Sequence, residues 1–224
     1  MGRAAVLAKD LTPPRLYRFS RRIRRKYFTP KKVLSTEAGA DYYDDSFEKR
    51  AHWRSEYSAS PWYYIWTVIV DRLQAIDSPS VLDVGCGAGQ LAAFIHDRGI
   101  TDYVGLDFST VRINYARAHV PDFRFEVADA YTTDLFDTVP YDTVVCTEFL
   151  EHVNGDVDVM RRLRSGTRFI GTVPNFGGGS HVRFFEDDEQ VAARYGPCFK
   201  SVRIDTFLMP KPGRKQFLID GIIA

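Results

Sequence analysis

A chain of 224 residues, 45% hydrophobic and 26% charged, can bury the core of one α/β domain with appendages, which excludes a wholly disordered or collagen-like polymer. No apolar run approaches the roughly 20 residues that cross a bilayer, which excludes a helical integral membrane protein. Three widely spaced cysteines, Cys86, Cys146 and Cys198, form neither a disulfide framework nor a CxxC metal knuckle. The net charge of +1 hides a segregation: residues 1–32 carry eleven Lys or Arg and one acid, Asp10, so the rest of the chain is net acidic.

Taken in order, residues 1–35 are expected to form a basic amphipathic arm. Leu16, Phe19, Ile23 and Tyr27 fall on one face of a helix, with Arg18, Arg21, Arg22, Arg25 and Lys26 around it. Such a helix can lie on an anionic membrane surface, contact a nucleic-acid backbone, or pack on the acidic body. Residues 36–78 are acidic and aromatic and are expected to form a helical cap. One helix is predicted near Asp44–Ser58. A second is predicted after Ser60-Pro61, with Ser60 as N-cap and Pro61 at the first helical position. All three tryptophans, Trp53, Trp62 and Trp66, fall here; helical spacing makes them core residues, or alternatively the roof of a ligand pocket.

From residue 79 strands and helices alternate. Strands are predicted at Ser80–Cys86, Tyr103–Asp107, Phe123–Val127, Thr143–Thr147 and Arg168–Val173. Helices are predicted at Gln90–Arg98, at Val111–His119 behind a Ser109 cap, and near Val157–Leu163. Ser201–Leu208 and Gln216–Ile223 are joined by too few residues for a parallel crossover and should form an antiparallel hairpin. The fold class is therefore α/β: a Rossmann-like, doubly wound seven-stranded sheet, mostly parallel with a C-terminal antiparallel hairpin, over residues 79–224.

The chemistry concentrates in Val81-Leu82-Asp83-Val84-Gly85-Cys86-Gly87-Ala88-Gly89-Gln90. A strand runs through a glycine turn into a helix, so backbone can approach a ligand where side chains would block it. Gln90 stands where the dinucleotide fingerprint has its third glycine, and Asp83 is unfavourable beside a pyrophosphate. A second acid, Asp107, ends the next strand, and a third, Asp129, follows the strand after that. In these residues the chain resembles the class I S-adenosylmethionine-dependent methyltransferases. The resemblance implies a cofactor site in which Asp83, Gly85, Cys86, Gly87 and Gly89 border the methionine part. It also implies Asp107 as acceptor for both ribose hydroxyls, Phe108 against the adenine, and Asp129 with Ala130 at the adenine amino group.

Thr147-Glu148-Phe149-Leu150-Glu151-His152-Val153 resembles the E-x-L-E-H-V segment of ubiquinone-biosynthesis-type O-methyltransferases. A similar arrangement with a later histidine, here His181, holds a magnesium-type cation in small-RNA 2′-O-methyltransferases. Glu148, Glu151, His152 and His181 are thus metal candidates as well as catalytic ones, and Mg²⁺ is the implied ion, though none of the four is assigned as a ligand. In a cation-free reading, Glu148 touches the cofactor, Glu151 caps a helix and His152 sits in the core. As general bases His152 and His181 rank first and Glu148 and Glu151 second, while His52, His96 and His119 are placed on the surface away from the ligand.

The segments Lys9–Arg18 and Tyr57–Trp66 resemble parts of methyltransferases encoded with polysaccharide pathways. That similarity implies O-methylation of a sugar, glycan or lipid-linked glycan hydroxyl. A phenolic small molecule or an RNA 2′-hydroxyl is the alternative acceptor, and a non-catalytic cofactor-binding scaffold the alternative of another class. The expected partners are a small-molecule or glycan acceptor and, through residues 1–32, an anionic membrane; nucleic acid is disfavoured because the body is acidic. With no apolar leader at the start, the expected location is the cytoplasm, extending to the inner membrane face.

Overall fold

The computed structural model describes residue 33 and residues 36–224; the arm helix expected around Leu16–Tyr27 lies outside the described residues. Seven strands form one sheet: β1 Ser80–Val84, β2 Asp102–Asp107, β3 Arg124–Val127, β4 Thr143–Cys146, β5 Arg168–Pro174, β6 Phe199–Leu208 and β7 Lys215–Ile223. Their spatial order is β3-β2-β1-β4-β5-β7-β6. The first five pair in parallel, and β7 runs antiparallel to both β5 and β6. The chain order reverses between β1 and β4, and in open α/β sheets that switch point opens a crevice beyond the carboxyl ends of the strands. The expected fold class is the observed one.

Seven helices surround the sheet among the described residues: α1 Ala40–Lys49, α2 Tyr63–Gln74, α3 Gln90–Asp97, α4 Thr110–His119, α5 Leu135–Thr138, α6 Asp156–Arg161 and α7 Asp188–Tyr195. Parallel strands buried on both faces split their side chains by period two. Leu82, Val144 and Phe169 enter one core with α6 and α7, while Val81, Val145 and Ile170 enter the other with α2 and α3. Truncating a residue such as Leu82, fully buried in a strand paired on both sides, costs about 2–5 kcal/mol.

The strand predictions hold to within two residues at each end. The cap differs more. In place of one helix over Asp44–Ser58, α1 starts at Ala40 and stops at Lys49, and two short 3₁₀ turns follow at Ala51–Arg54 and Tyr57–Ala59. Two polar contacts hold this broken path: the Arg54 guanidinium donates to the Phe47 carbonyl, and the Tyr57 hydroxyl donates to Asp97 on α3. Ser60 is not the N-cap of α2. Trp62 occupies that position, while Ser60 is buried one turn earlier and its hydroxyl accepts from the Trp62 amide. Helices α5 and α7 were not anticipated from the sequence. A single turn such as α5 shows no periodicity, whereas α7 begins behind an Asp187 cap that accepts from the Gln190 amide.

Candidate active site

Two adjoining cavities open at the carboxyl ends of the parallel strands. The smaller, about 250 Å³, lies over β2 and β3 and is lined by Asp107, Phe108, Asp129, Ala130 and Tyr131, with Glu37 and Gly39 above them. The larger, about 380 Å³, lies between β1, β4 and the cap. Its walls include Asp83, Cys86, Gly87, Trp53, Trp62 and His181. Tyr43, Gly85, Arg112, Glu148 and His152 border both. Anything spanning the two cavities therefore passes Gly85 and Glu148.

The glycine turn is shaped by sterics. Gly85 has φ +79°, and a Cβ there would meet Phe149 at 2.7 Å, so only glycine fits this crossing. Gly89 also has a positive φ, but it borders neither cavity. A Cβ there would stand 3.0 Å from the Ala116 Cβ on α4, so the glycine serves the packing of the start of α3, and the expected ligand contact is not among the cavity walls. Gln90 serves the cap: its amide donates to the carbonyls of His52 and Ser55, tying a 3₁₀ turn to the start of α3.

The three strand-end acids differ in environment. Asp83 is buried; the Tyr103 hydroxyl donates to one oxygen at 2.7 Å and the other oxygen has no partner. Burial pushes its carboxyl up to about 7, against the lowering effect of Tyr103. Asp107 accepts the Gly87 amide on one oxygen at 3.1 Å and the Ser109 amide on the other at 2.9 Å, which joins the glycine turn to the end of β2. Each oxygen keeps a lone pair for a ligand. Asp129 accepts the Tyr131 amide at 2.8 Å. A buried carboxylate with one unpartnered oxygen in the wall of one cavity, and two carboxylates bordering the other, suit a ligand bearing an ammonium group and a sugar diol. Two successive acidic strand ends do not suit a pyrophosphate.

The segment after β4 departs from regular geometry. Glu148 has φ +53°, a left-handed conformation rare for a non-glycine residue and often found at functional sites. Gln216 on β7 and the Trp62 indole both donate to its carboxylate. Burial raises the Glu148 carboxyl to about 7, partly offset by those two bonds. Arg183 fixes the following residues by donating to the carbonyls of Leu150, Val153 and Asn154. The amides of Val182 and Arg183 donate to the Glu151 carbonyl. That pairing brings His181 beside His152, their rings edge to face with centroids 4.7 Å apart.

Glu151, His152 and His181 present ligand atoms within 4.8 Å of one another, whereas Glu148 is turned to Gln216 and falls outside that group. Both oxygens of the buried Glu151 carboxyl lack hydrogen-bond partners, and burial holds its carboxyl well above the usual range. His152 Nδ1 lies 3.0 Å from the Ser180 carbonyl and His181 Nδ1 lies 3.1 Å from the Phe176 carbonyl. A carbonyl facing Nδ1 makes that nitrogen the donor on each ring. Burial, helped by His181, drives the His152 imidazole down to about 3. This reverses the expected order of bases: a proton on His152 is strongly disfavoured, and Glu148 is the group poised near neutrality. His52 is also corrected, since it borders the larger cavity against Trp53 instead of lying away from it. His96 and His119 are surface residues, contacting Asp122 and the Tyr115 carbonyl.

Residues 81–168 match a family model described as a methyltransferase domain. A ubiquinone biosynthesis O-methyltransferase from Alkalilimnicola ehrlichii is 38% identical over 89 residues, covering 38% of this chain and 36% of that relative. The chain is matched over less than two thirds of the length of such curated relatives. Among solved structures, a magnesium protoporphyrin IX methyltransferase from Synechocystis PCC 6803 with bound S-adenosylmethionine aligns with a TM-score of 0.62 at 16% identity, over 84% of this chain and all of that one. The cyclase SpnF aligns with a TM-score of 0.64 at 12% identity, over 87% of this chain and all of that one.

Residues 81–168 carry a methyltransferase domain, in a sheet with the fold of solved methyltransferases.

Within this methyltransferase domain and its cap, several bordering residues had no motif to reveal them. Tyr43 on α1 packs edge to face against Phe108 and His152, and Arg112 on α4 lies over the Tyr43 ring, 5.0 Å from its centroid. Glu37 closes the smaller cavity by accepting from the Tyr131 hydroxyl and the Asn154 amide. Gln216 reaches Glu148 across 68 residues of sequence. The tertiary fold, not any local spacing, brings these groups together. The aromatic cap residues partly follow the alternative expectation: Trp53 and Trp62 stack at 5.6 Å and wall the larger cavity, while Trp66 is also core.

Proposed function

We propose that the protein is an S-adenosylmethionine-dependent methyltransferase acting on a hydroxyl of a sugar, glycan or lipid-linked glycan. The observation that carries this reading is Glu148, a carboxyl raised to about 7 at the junction of a carboxylate-lined cavity and an aromatic one. Asp107 and Asp129 would hold the ribose and adenine, and the free oxygen of Asp83 the ammonium group. When bound, S-adenosylmethionine supplies an electrophilic methyl on a sulfonium sulfur. Glu148, oriented by Gln216 and Trp62, takes the acceptor hydroxyl proton as the new O–C bond forms and the C–S bond breaks. The cap excludes water and presents aromatic faces suited to the apolar faces of a sugar ring.

A second reading, an assisting divalent cation such as Mg²⁺, is favoured by one observation: the buried Glu151 carboxyl has no hydrogen-bond donor, yet stands beside two imidazoles whose Nδ1 atoms face carbonyls. Glu151, His152 and His181 would hold the ion, whose chemistry would be to acidify the acceptor hydroxyl. Loss of turnover with chelator and recovery with magnesium supports this reading; indifference to chelator removes it.

Residues 1–32, with their excess of Lys and Arg, are proposed to contact an anionic membrane surface and keep the enzyme near lipid-linked acceptors. Among the described residues no helix is long and apolar enough to cross a membrane. Deleting residues 1–32 should reduce co-sedimentation with anionic liposomes and leave cofactor affinity unchanged. The acceptor is tested by incubating the protein with methyl-labelled cofactor and separated carbohydrate, lipid and RNA fractions, followed by mass spectrometry. Label in a carbohydrate-bearing species supports the proposal. Label confined to RNA or to a phenol selects those acceptors instead, and cofactor binding without transfer to any fraction selects the scaffold.

A further inference from the structure

The turn between β6 and β7 carries Lys211 and Arg214, and Lys215 opens β7; among the described residues none of the three has an acidic partner within ion-pair distance. Cations on a surface turn are ordinarily solvated, but Arg214 is placed otherwise. It is half-buried and borders the larger cavity, with its guanidinium 4.0 Å from the centroid of the Phe176 ring. Stacking on an aromatic face leaves the edge of the guanidinium, with its fork of N–H donors, open for a bidentate acceptor.

The turn is also held in place. Met209 donates its amide to the Arg214 carbonyl, and Arg214 donates its own to the Lys211 carbonyl. Asn175, at the end of β5, donates its side-chain amide to the Gly213 carbonyl and accepts the Lys215 amide. Asn175 also opens the glycine-rich loop that carries His181, so the Arg214 turn and that loop are one clamped unit. A preorganised, unpaired guanidinium at a cavity wall is a costly arrangement for stability alone and a favourable one for binding an oxyanion. Glu148 lies near enough to interact with Arg214 electrostatically, so the oxyanion site and the proton acceptor face the same cavity.

We propose that the acceptor carries a phosphoryl group, held by Arg214 at the wall of the larger cavity, with Lys211 and Lys215 adding positive charge from beside it in the chain, so that its sugar hydroxyl is presented to Glu148. Three cations within five residues match a phosphate dianion better than a single carboxylate. A sugar 1-phosphate, a nucleotide sugar and a lipid-linked sugar share this group. The inference rests on the methyltransferase reading of the site.

The test uses the full-length protein saturated with S-adenosylhomocysteine and titrated calorimetrically with glucose 1-phosphate, UDP-glucose, glucuronic acid and glucose. The expected result is that at least one phosphorylated probe binds at least tenfold tighter than glucose and glucuronic acid. Arg214→Gln should remove that advantage, and Arg214→Lys should restore part of it, with S-adenosylhomocysteine affinity unchanged in both. Phosphorylated probes no tighter than glucose, glucuronic acid as the preferred probe, or unaltered binding by Arg214→Gln each overturns the proposal while leaving the methyltransferase reading intact. Absence of S-adenosylhomocysteine binding by the wild type overturns both.

Discussion

The smaller cavity takes two of its carboxylates, Asp107 and Asp129, from the end of β2 and from just past β3, beside the paired backbone of the sheet. The larger cavity borrows its walls from α1, the 3₁₀ turns, α2, the loop after β5 and the β6–β7 turn, elements scattered from Tyr42 to Arg214. The first is a rigid floor whose chemistry follows from the fold. The second is a roof whose chemistry can change with little cost to the sheet, because loops and caps tolerate substitution better than paired strands. Recognition of a common cofactor and recognition of a particular acceptor are thereby assigned to parts of the molecule with different constraints.

The sharpest way to break this division is at Glu148, which belongs to both cavities. Glu148→Gln should lower kcat by roughly 10²–10⁴-fold with the labelled acceptor, in the range of a lost general base. Affinity for S-adenosylhomocysteine should change by less than about threefold. An unaltered rate would remove Glu148 from proton transfer. Substitution on the floor should separate differently: Asp107→Ala removes a charged acceptor and frees the Gly87 and Ser109 amides, costing about 1.5–3 kcal/mol of cofactor binding. That is roughly a ten- to hundredfold weaker Kd by calorimetry. Unchanged affinity would mean that the β2 end is not a ribose site.

The same division explains what was legible in the sequence. Asp83, Gly85 and Asp107 were readable because a strand, a tight turn and a helix start are local events, with spacing set by the backbone. Gly89 is not separable from the ligand-side glycines by sequence, because a glycine required by helix packing and one required by a ligand look identical there; only the Ala116 side chain, 3.0 Å from where a Cβ would stand, separates them. Sequence ranks His152 first as base because an ordinary imidazole titrates near neutrality, and nothing local reveals its burial beside a second histidine, which disfavours the proton there. Tyr43, Gln216 and Arg214 reach the site through tertiary contacts alone, so no periodicity or motif could mark them.

Asp83, on β1 beneath the larger cavity, tests whether the site is built at the expense of stability. Its folded pKa, about 7, lies above the ordinary carboxyl value, so its favourable contribution is full below about pH 4 and is lost as pH rises through 7. At pH 8 the ligand-free protein therefore holds a buried charge with one unpartnered oxygen. Asp83→Asn keeps an acceptor for Tyr103 and removes that charge, so the melting temperature should rise at pH 8 by about 2–4 °C for each kcal/mol regained, with a smaller gain at pH 5. Cofactor affinity should fall in the same variant. A variant that is both no more stable at pH 8 and still able to bind would show that Asp83 is a structural acid.

The smallest effect expected is the most direct link between roof and floor. Trp62 stacks on Trp53 in the cap, and its indole N–H donates to Glu148, lowering a carboxyl pKa that burial has raised to about 7. Trp62→Phe retains an aromatic ring for the stack and deletes only the donor. A single hydrogen bond to the carboxylate is worth about 0.5–1.5 kcal/mol, and 1.36 kcal/mol corresponds to one pK unit, so the Glu148 pKa should rise by roughly 0.4–1 unit. Because the reaction needs the deprotonated carboxylate, the rate rises with pH through that value. The acidic limb of the pH–rate profile should therefore move to higher pH by the same amount, with the plateau above pH 8.5 within about twofold of wild type. A lowered plateau with no shift of the limb would mean that Trp62 only packs against the acceptor, whereas a shifted limb shows the cap setting the basicity of a group anchored on the sheet.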